Sequence, residues 1–251
     1  TLSIEYKGHT DMVRTITIDK SGQYLASGSD DSTVKIWEIN TGRCLKTIPT
    51  DGVVRSIEWC PNANLSLILA ASDQNVFLIN PQVGDFLICQ KTDSVLTSIL
   101  PKTDDDTTVI PDRIKTTVTW SNEIESNLYE RGIRVALKHF KMVSQVTWHG
   151  KGDYFATVMP DGLNRSVLIN QLSRRRSQLP FTKSKGLVQT VLFHPTKPCL
   201  FVATQRHVRI YDLVKQTMVK KLMTNSKWVS TMAVHPGGDN LLVGTYDRKM
   251  L

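Results

Sequence analysis

Short runs of alternating apolar and polar residues recur along this chain at a fixed interval. One run opens as Val13-Arg-Thr-Ile-Thr-Ile. It returns as Val54-Arg-Ser-Ile-Glu-Trp-Cys-Pro, Val143-Ser-Gln-Val-Thr-Trp-His-Gly, Val188-Gln-Thr-Val-Leu-Phe-His-Pro and Val229-Ser-Thr-Met-Ala-Val-His-Pro. The openings are 41, 89, 45 and 41 residues apart. A second anchor keeps the same phase in Ile36-Trp37-Glu38, Leu78-Ile79-Asn80, Leu168-Ile169-Asn170 and Ile210-Tyr211-Asp212. Alternation with period two marks strands that bury one face, as in Thr33–Trp37 and Val208–Tyr211. Turn residues separate the runs at Ser21-Gly22, Asn40-Thr41-Gly42, Pro81–Gly84 and Pro236-Gly237-Gly238. A period of ~40–45 residues holding four short strands predicts an all-β chain, a β-propeller. Only Ser121–Leu137 carries a hint of helical period.

The interval of 89 residues is nearly twice the period and admits either a degenerate blade or an insertion. Residues 91–138 contain the acidic run Asp104-Asp105-Asp106 and polar stretches, and the second anchor skips the same interval. An insertion between repeats, helical or without regular structure, is the better reading. Five repeats are counted, and the fifth breaks off at Leu251. Propellers commonly close with more, often seven, so residues 1–251 are expected to form a single propeller truncated at its C-terminus.

The first repeat resembles a WD repeat, with Gly8-His9, Leu25–Asp31 and Val34-Lys-Ile-Trp37-Glu38. In that family a His, a Ser, a tight-turn Asp and a strand-ending Trp form a buried hydrogen-bonded tetrad. The matching positions here are His9, Ser27, Asp31 and Trp37. Later repeats replace Trp37 by Ile79, Ile169 and Tyr211 and lack the Gly-His pair. Those blades are expected to rely on apolar packing.

Composition narrows the function classes. At 40% hydrophobic residues the chain has ample material for a core, and no apolar run approaches the ~20 residues of a membrane span. No charged leader precedes an apolar stretch at the N-terminus. Cys44, Cys60, Cys89 and Cys199 form no CxxC pair, so zinc is not expected, and they read as small core residues of a reducing compartment. The net charge of +8 is split: residues 1–137 sum to −5 and residues 138–251 to +13. Such asymmetry suits nucleic acid or an acidic partner on one side.

Catalytic motifs are absent. His9, Ser27 and Asp31 imitate a hydrolase triad, but the tetrad explains all three and no nucleophile elbow is present. Ser32-Thr-Val-Lys35 matches SxxK only inside a strand. No phosphate loop, dinucleotide fingerprint or HExxH occurs, and Asp104–Asp106 lacks the spacing of a calcium loop. No enzymatic activity, cofactor or metal is expected. His194-Pro195 and His235-Pro236 read as turn residues at strand ends. The sharpest charge cluster is Arg174-Arg175-Arg176, followed by Lys183 and Lys185. One hairpin crown is expected to present these five cations to phosphates, with Phe181 stacking on a base or packing inward.

Several motifs exceed a generic propeller: Gly8–Arg14, Gly52–Trp59, Val146–Tyr154, Gln171–Gln178 and Lys227–Pro236. Together they resemble the C-terminal propeller of the block-of-proliferation family of eukaryotic ribosome-biogenesis proteins, from about Tyr6 to Leu251. The resemblance implies a nucleolar and nucleoplasmic scaffold without enzymatic activity. It implies a complex with pescadillo, contacted mainly through a segment N-terminal to the propeller, and with a second WD-repeat protein. It further implies contact with pre-ribosomal RNA and support of large-subunit rRNA processing in pre-60S particles. The alternative is a generic WD adaptor for peptides, such as a ubiquitin-ligase substrate receptor. The residues leading recognition of a protein partner would then be those after each strand's opening Val: Arg14, Arg55, Gln145, Gln189 and Ser230.

Overall fold

A computed structural model describes residues 3–98, 110–183 and 185–251. It divides into two compact units, Thr1–Val146 and Thr147–Leu251. The sheets of both are antiparallel, and their strands pair largely in chain order, as in the blades of an all-β propeller.

In the first unit, the strands β1 (Val13–Ile18), β2 (Tyr24–Ser29), β3 (Thr33–Glu38) and β4 (Cys44–Pro49) pair in simple chain order. Their alternation works as the sequence suggests: Val34, Ile36 and Trp37 are buried in β3, with Lys35 and Glu38 at the margin. The next blade starts with β5 (Val54–Trp59), β6 (Ile68–Ser72) and β7 (Asn75–Ile79). Ala26, Val34, Ile36 and Ile48 of the first blade pack on Val54, Ile57, Trp59 and Ile68 of the second. Backbone N–H groups of Ile57 and Trp59 donate to the hydroxyls of Thr15 and Thr17 at 3.2 and 3.0 Å. Gly28 is required there, because a Cβ would lie 2.4 Å from Val54 Cγ1.

The second blade corrects the expected place of the insertion. After β7 come α1 (Phe86–Thr97), α2 (Asp112–Lys115), β8 (Val118–Ser121), α3 (Ser126–Glu130) and β9 (Ile133–His139). The sheet order is β5-β6-β7-β9-β8, so β9 is the blade's fourth strand and β8 a fifth at its outer edge. The additional chain therefore lies inside a blade, between its third and fourth strands, and not between repeats. Residues 133–138, assigned to the insertion, belong to the sheet because Val135 and Leu137 alternate into the core. The helical hint over Ser121–Leu137 resolves into a five-residue helix flanked by strands. Asp104–Asp106 lie outside the described residues.

Helix α1 is held to this blade by polar groups. Asn80 donates to the Cys89 carbonyl at 2.9 Å and to Asp93 Oδ1 at 2.8 Å. Arg134 Nε donates to the same Asp93 oxygen at 2.7 Å, and its Nη1 donates to the Tyr129 carbonyl. The Arg134 guanidinium, 2% exposed, lies 3.9 Å over the Tyr129 ring. One arginine thus ties α1 and α3 to β9.

One sheet holds β10 (Gln145–Trp148), which spans the boundary of the units, with β11 (Tyr154–Val158), β12 (Val167–Gln171) and β13 (Arg176–Gln178) of the second unit. A second sheet comprises β14 (Val188–Phe193), β15 (Cys199–Thr204), β16 (His207–Asp212) and β17 (Thr217–Met223). The pair β18 (Val229–Val234) and β19 (Leu241–Thr245) follows. Val158, Val167 and Ile169 pack against Val188, Val191 and Leu200, and Phe201 and Val208 against Val229 and Met232. The blades lacking the tetrad do not rest on apolar packing alone. Asn170, fully buried, donates to the Phe155 carbonyl and to Thr157 Oγ1 and accepts from Ser177 Oγ at 2.6 Å. Asn80 and Asn170 occupy one repeat position, next to the anchors Ile79 and Ile169.

Candidate functional site

The tetrad is a scaffold for one blade. Asp31 sits in the turn between β2 and β3, and Ser27 and Trp37 lie on those strands, two residues apart in register. Trp37 Nε1 donates to Ser27 Oγ at 2.8 Å. Ser27 donates in turn to His9 Nε2 at 2.7 Å, and His9 Nδ1 donates to Asp31 Oδ2 at 2.7 Å. Asp31 also accepts from Thr33 Oγ1, the Thr33 backbone and the Thr10 backbone. Burial pushes the Asp31 carboxyl up, but the bonds from Thr33, His9 and Thr10 outweigh it and hold it down at about 2. Each of the four polar side chains has a partner, and the Ser27 hydroxyl, which also accepts from Trp37, is buried. The His9 and Asp31 side chains are 7% and 8% exposed. Thus the triad-like residues are brought together and turned away from solvent.

Four of the five candidate partner positions share a geometric feature that the sequence conceals. The ladder between the first two strands of a blade shifts register at Val13/Thr15, Val54/Ser56, Val188/Thr190 and Val229/Thr231. Arg14, Arg55, Gln189 and Ser230 are the extra residues at these bulges, and a bulge re-aims its side chain. Gln145 is out of phase, because Ser144, not Gln145, directly follows Val143. Arg14, Arg55 and Ser230 are exposed, whereas Gln145 and Gln189 are half-buried. Arg14 donates to both carboxylate oxygens of Asp30, at 2.6 to 3.0 Å. That bond, seconded by the Arg14 and Arg55 charges, lowers the Asp30 carboxyl. Arg14 and Arg55 therefore flank one half-buried acid in the first unit.

The basic cluster is not one crown. Arg174 and Arg175 lie in the turn between β12 and β13, and Arg176 begins β13. The strand carries the chain away at ~3.3 Å per residue, so Lys183 and Lys185 come after its far end. Both are exposed. Arg175 has a left-handed φ of 49° and folds inward, with Nη1 donating to the Leu172 carbonyl at 2.6 Å. Burial pulls its guanidinium below the ordinary value, against the opposing pull of Asp153. Arg174 and Arg176 line a cleft of about 290 Å³ with Tyr154, Ile169, Gln171, Ser177 and Gln178. Phe181 is buried and stacks on Tyr211 at 4.6 Å, so it is core and not a base platform.

Three histidines act as turn caps in the second unit. Nδ1 of His149, His194 and His235 accepts the backbone N–H two residues on, from Lys151, Thr196 and Gly237. The ring of His194 also lies against Gly238, whose φ of 82° and lack of Cβ admit it. Among the described residues, no three His, Cys, Asp or Glu side chains gather as a metal would require. No helix of the described chain is long and apolar enough to cross a membrane.

A family model described as "WD domain, G-beta repeat" matches residues 1–38 and 42–80. The whole chain is similar to proteins described as "Ribosome biogenesis protein BOP1 homolog". Those of Drosophila virilis and Drosophila melanogaster are each 61% identical over 249 residues, 99% of this chain and 31% of theirs. The Aedes aegypti protein is 61% identical over 246 residues, 98% of this chain and 28% of its own length. The chain thus spans just under a third of the length of these relatives.

Proposed function

Because this chain belongs to the family of the BOP1 ribosome biogenesis proteins, we propose that it is a non-enzymatic scaffold serving ribosome biogenesis. The observation that carries this reading is identity sustained at 61% across 99% of the chain. A scaffold also suits the geometry, since the polar constellations are spent on holding turns and strands together. The finer role is large-subunit rRNA processing within a complex containing pescadillo and a second WD-repeat protein, in the nucleolus and nucleoplasm. The bulge residues Arg14, Arg55, Gln189 and Ser230 are the positions proposed to meet the protein partner. Pre-ribosomal RNA is proposed to lie on the second unit, where 16 Lys/Arg face only 5 Asp/Glu.

Sedimentation tests this directly. The tagged protein, purified from cells, should migrate with precursors of the large subunit, and its depletion should accumulate large-subunit rRNA precursors. Recovery with ubiquitin-ligase subunits, away from pre-ribosomal particles, would replace the scaffold reading by the peptide-adaptor one.

A further inference from the structure

The register of the β10–β13 sheet builds a small platform. Tyr154 is paired with Gln171, and Gln171 with Arg176, in one row across β11, β12 and β13. Directly opposed residues of antiparallel strands share a face, at ~4.5–5.5 Å between neighbours. The next row on that face is Ala156, Ile169 and Gln178. Arg174 joins from the turn, and with Ser177 and the residues of both rows other than the buried Ala156 it lines the cleft of about 290 Å³. No carboxylate lines it. The adjoining acid, Asp153, accepts from the Ser173 backbone and hydroxyl at 2.9 Å each and from Gln171 Nε2 at 3.2 Å. Gln171 is thereby oriented. Tyr154 is 37% exposed although its strand neighbours are buried.

We propose that this cleft binds one nucleotide of single-stranded RNA, with a backbone phosphate on Arg174 and Arg176 and a base stacked on Tyr154. The proposal rests on the RNA reading above and adds to it a place and a strand preference. Guanidinium forks match phosphate oxygens, and every base has a π-face for a tyrosine ring. The cleft is at the small end of ligand pockets, which start near ~300 Å³, and suits one nucleotide. Gln171 and Gln178 offer amides without base choice. A phosphorylated peptide would engage the arginines but leave the Tyr154 ring unstacked. In a duplex the bases already stack on one another, so the ring would gain nothing.

Fluorescence anisotropy of the 251-residue chain with a short unstructured RNA, its duplex and a phosphoserine peptide separates the readings. Tyr154→Leu should weaken single-stranded binding about 5- to 100-fold, leave duplex binding and the salt slope unchanged, and melt like the parent. Tyr154→Phe should bind like the parent and guards against a mere folding defect. Arg174→Gln with Arg176→Gln should lower the salt slope by ~1–2. Parental affinity of Tyr154→Leu for the single strand would refute the cleft while leaving general RNA binding intact. A phosphopeptide that displaces the RNA and loses affinity with Tyr154→Leu would reassign the cleft to a protein ligand. If the parent binds no RNA even at low salt, the RNA reading itself fails.

Discussion

Replacing Asp31 probes the first blade most sharply. Its carboxylate terminates the donor chain from Trp37 through Ser27 and His9, and it accepts three further bonds from Thr10 and Thr33. Asp31→Ala leaves two backbone donors without partners in a largely buried site, and the His9 Nδ1–H with only the long 3.4 Å contact to Thr33 Oγ1. Such a loss costs roughly 1–3 kcal/mol. The same bonds can be read through the depressed carboxyl. The carboxyl is held at about 2 when folded, against an ordinary 3.8. That difference is worth about 2 kcal/mol once partial exposure is discounted. Because the folded value is depressed, this stabilisation is complete above 3.8 and lost as pH falls toward 2. Urea unfolding followed by tryptophan fluorescence, at neutral pH and near pH 2.5, should show a large gap between parent and Asp31→Ala that narrows in acid. Asp31→Asn, which keeps the shape without the charge, should fall between them and lose most of the pH dependence. A gap under ~0.5 kcal/mol at neutral pH, or one unchanged in acid, would refute the tetrad as a stabilising unit.

Three further outcomes are expected. His139 is buried, donates Nδ1–H to the Leu137 carbonyl, and has its imidazole pushed down to about 4 by burial. Its neutral form is favoured by folding, so stability should be full above 6.5 and fall by up to about 3 kcal/mol as pH drops through 4. His139→Gln should flatten that part of a pH series of unfolding midpoints. Arg134→Met should cost about 2–3 kcal/mol, because Asp93 loses its cation in a partly buried site, and amide exchange in α1 should accelerate. Arg175→Glu should lower the melting temperature measurably while Arg174→Glu leaves it within error, since only Arg175 folds into its own turn.

Much of the architecture was legible because propeller blades repeat local physics. Alternation identified most of the strands, and two anchors in phase identified the repeat. Three features were hidden for physical reasons. The fourth strand of the second blade, Ile133–His139, follows β7 only after a long excursion, so its pairing is non-local and no turn signal announces it. Its alternating Val135 and Leu137 were nonetheless a readable sign. The buried Asn80 and Asn170 were visible beside their anchors, but residue type alone does not distinguish an organising amide from a turn residue. The arginine cluster misled because charge shows in sequence while direction does not. The left-handed φ at Arg175 turns one of three neighbours inward, and an extended strand separates the lysines from the rest. The bulge register likewise depends on pairing, so Gln145 was placed one residue out of phase.

The repeated bulge has a consequence for how such a surface diversifies. At Arg14, Arg55, Gln189 and Ser230 the ladder steps over one residue, and the partner strand reads the same backbone whatever that side chain is. These four positions already hold two cations, an amide and a hydroxyl on equivalent frames. A change of side chain there alters what the surface presents while leaving strand pairing in place. Descendants of one ancestral repeat can therefore drift toward different surface chemistries at these positions without passing through unfolded intermediates. Elsewhere on the same strands, where side chains fill the space between blades, that evolutionary latitude is closed.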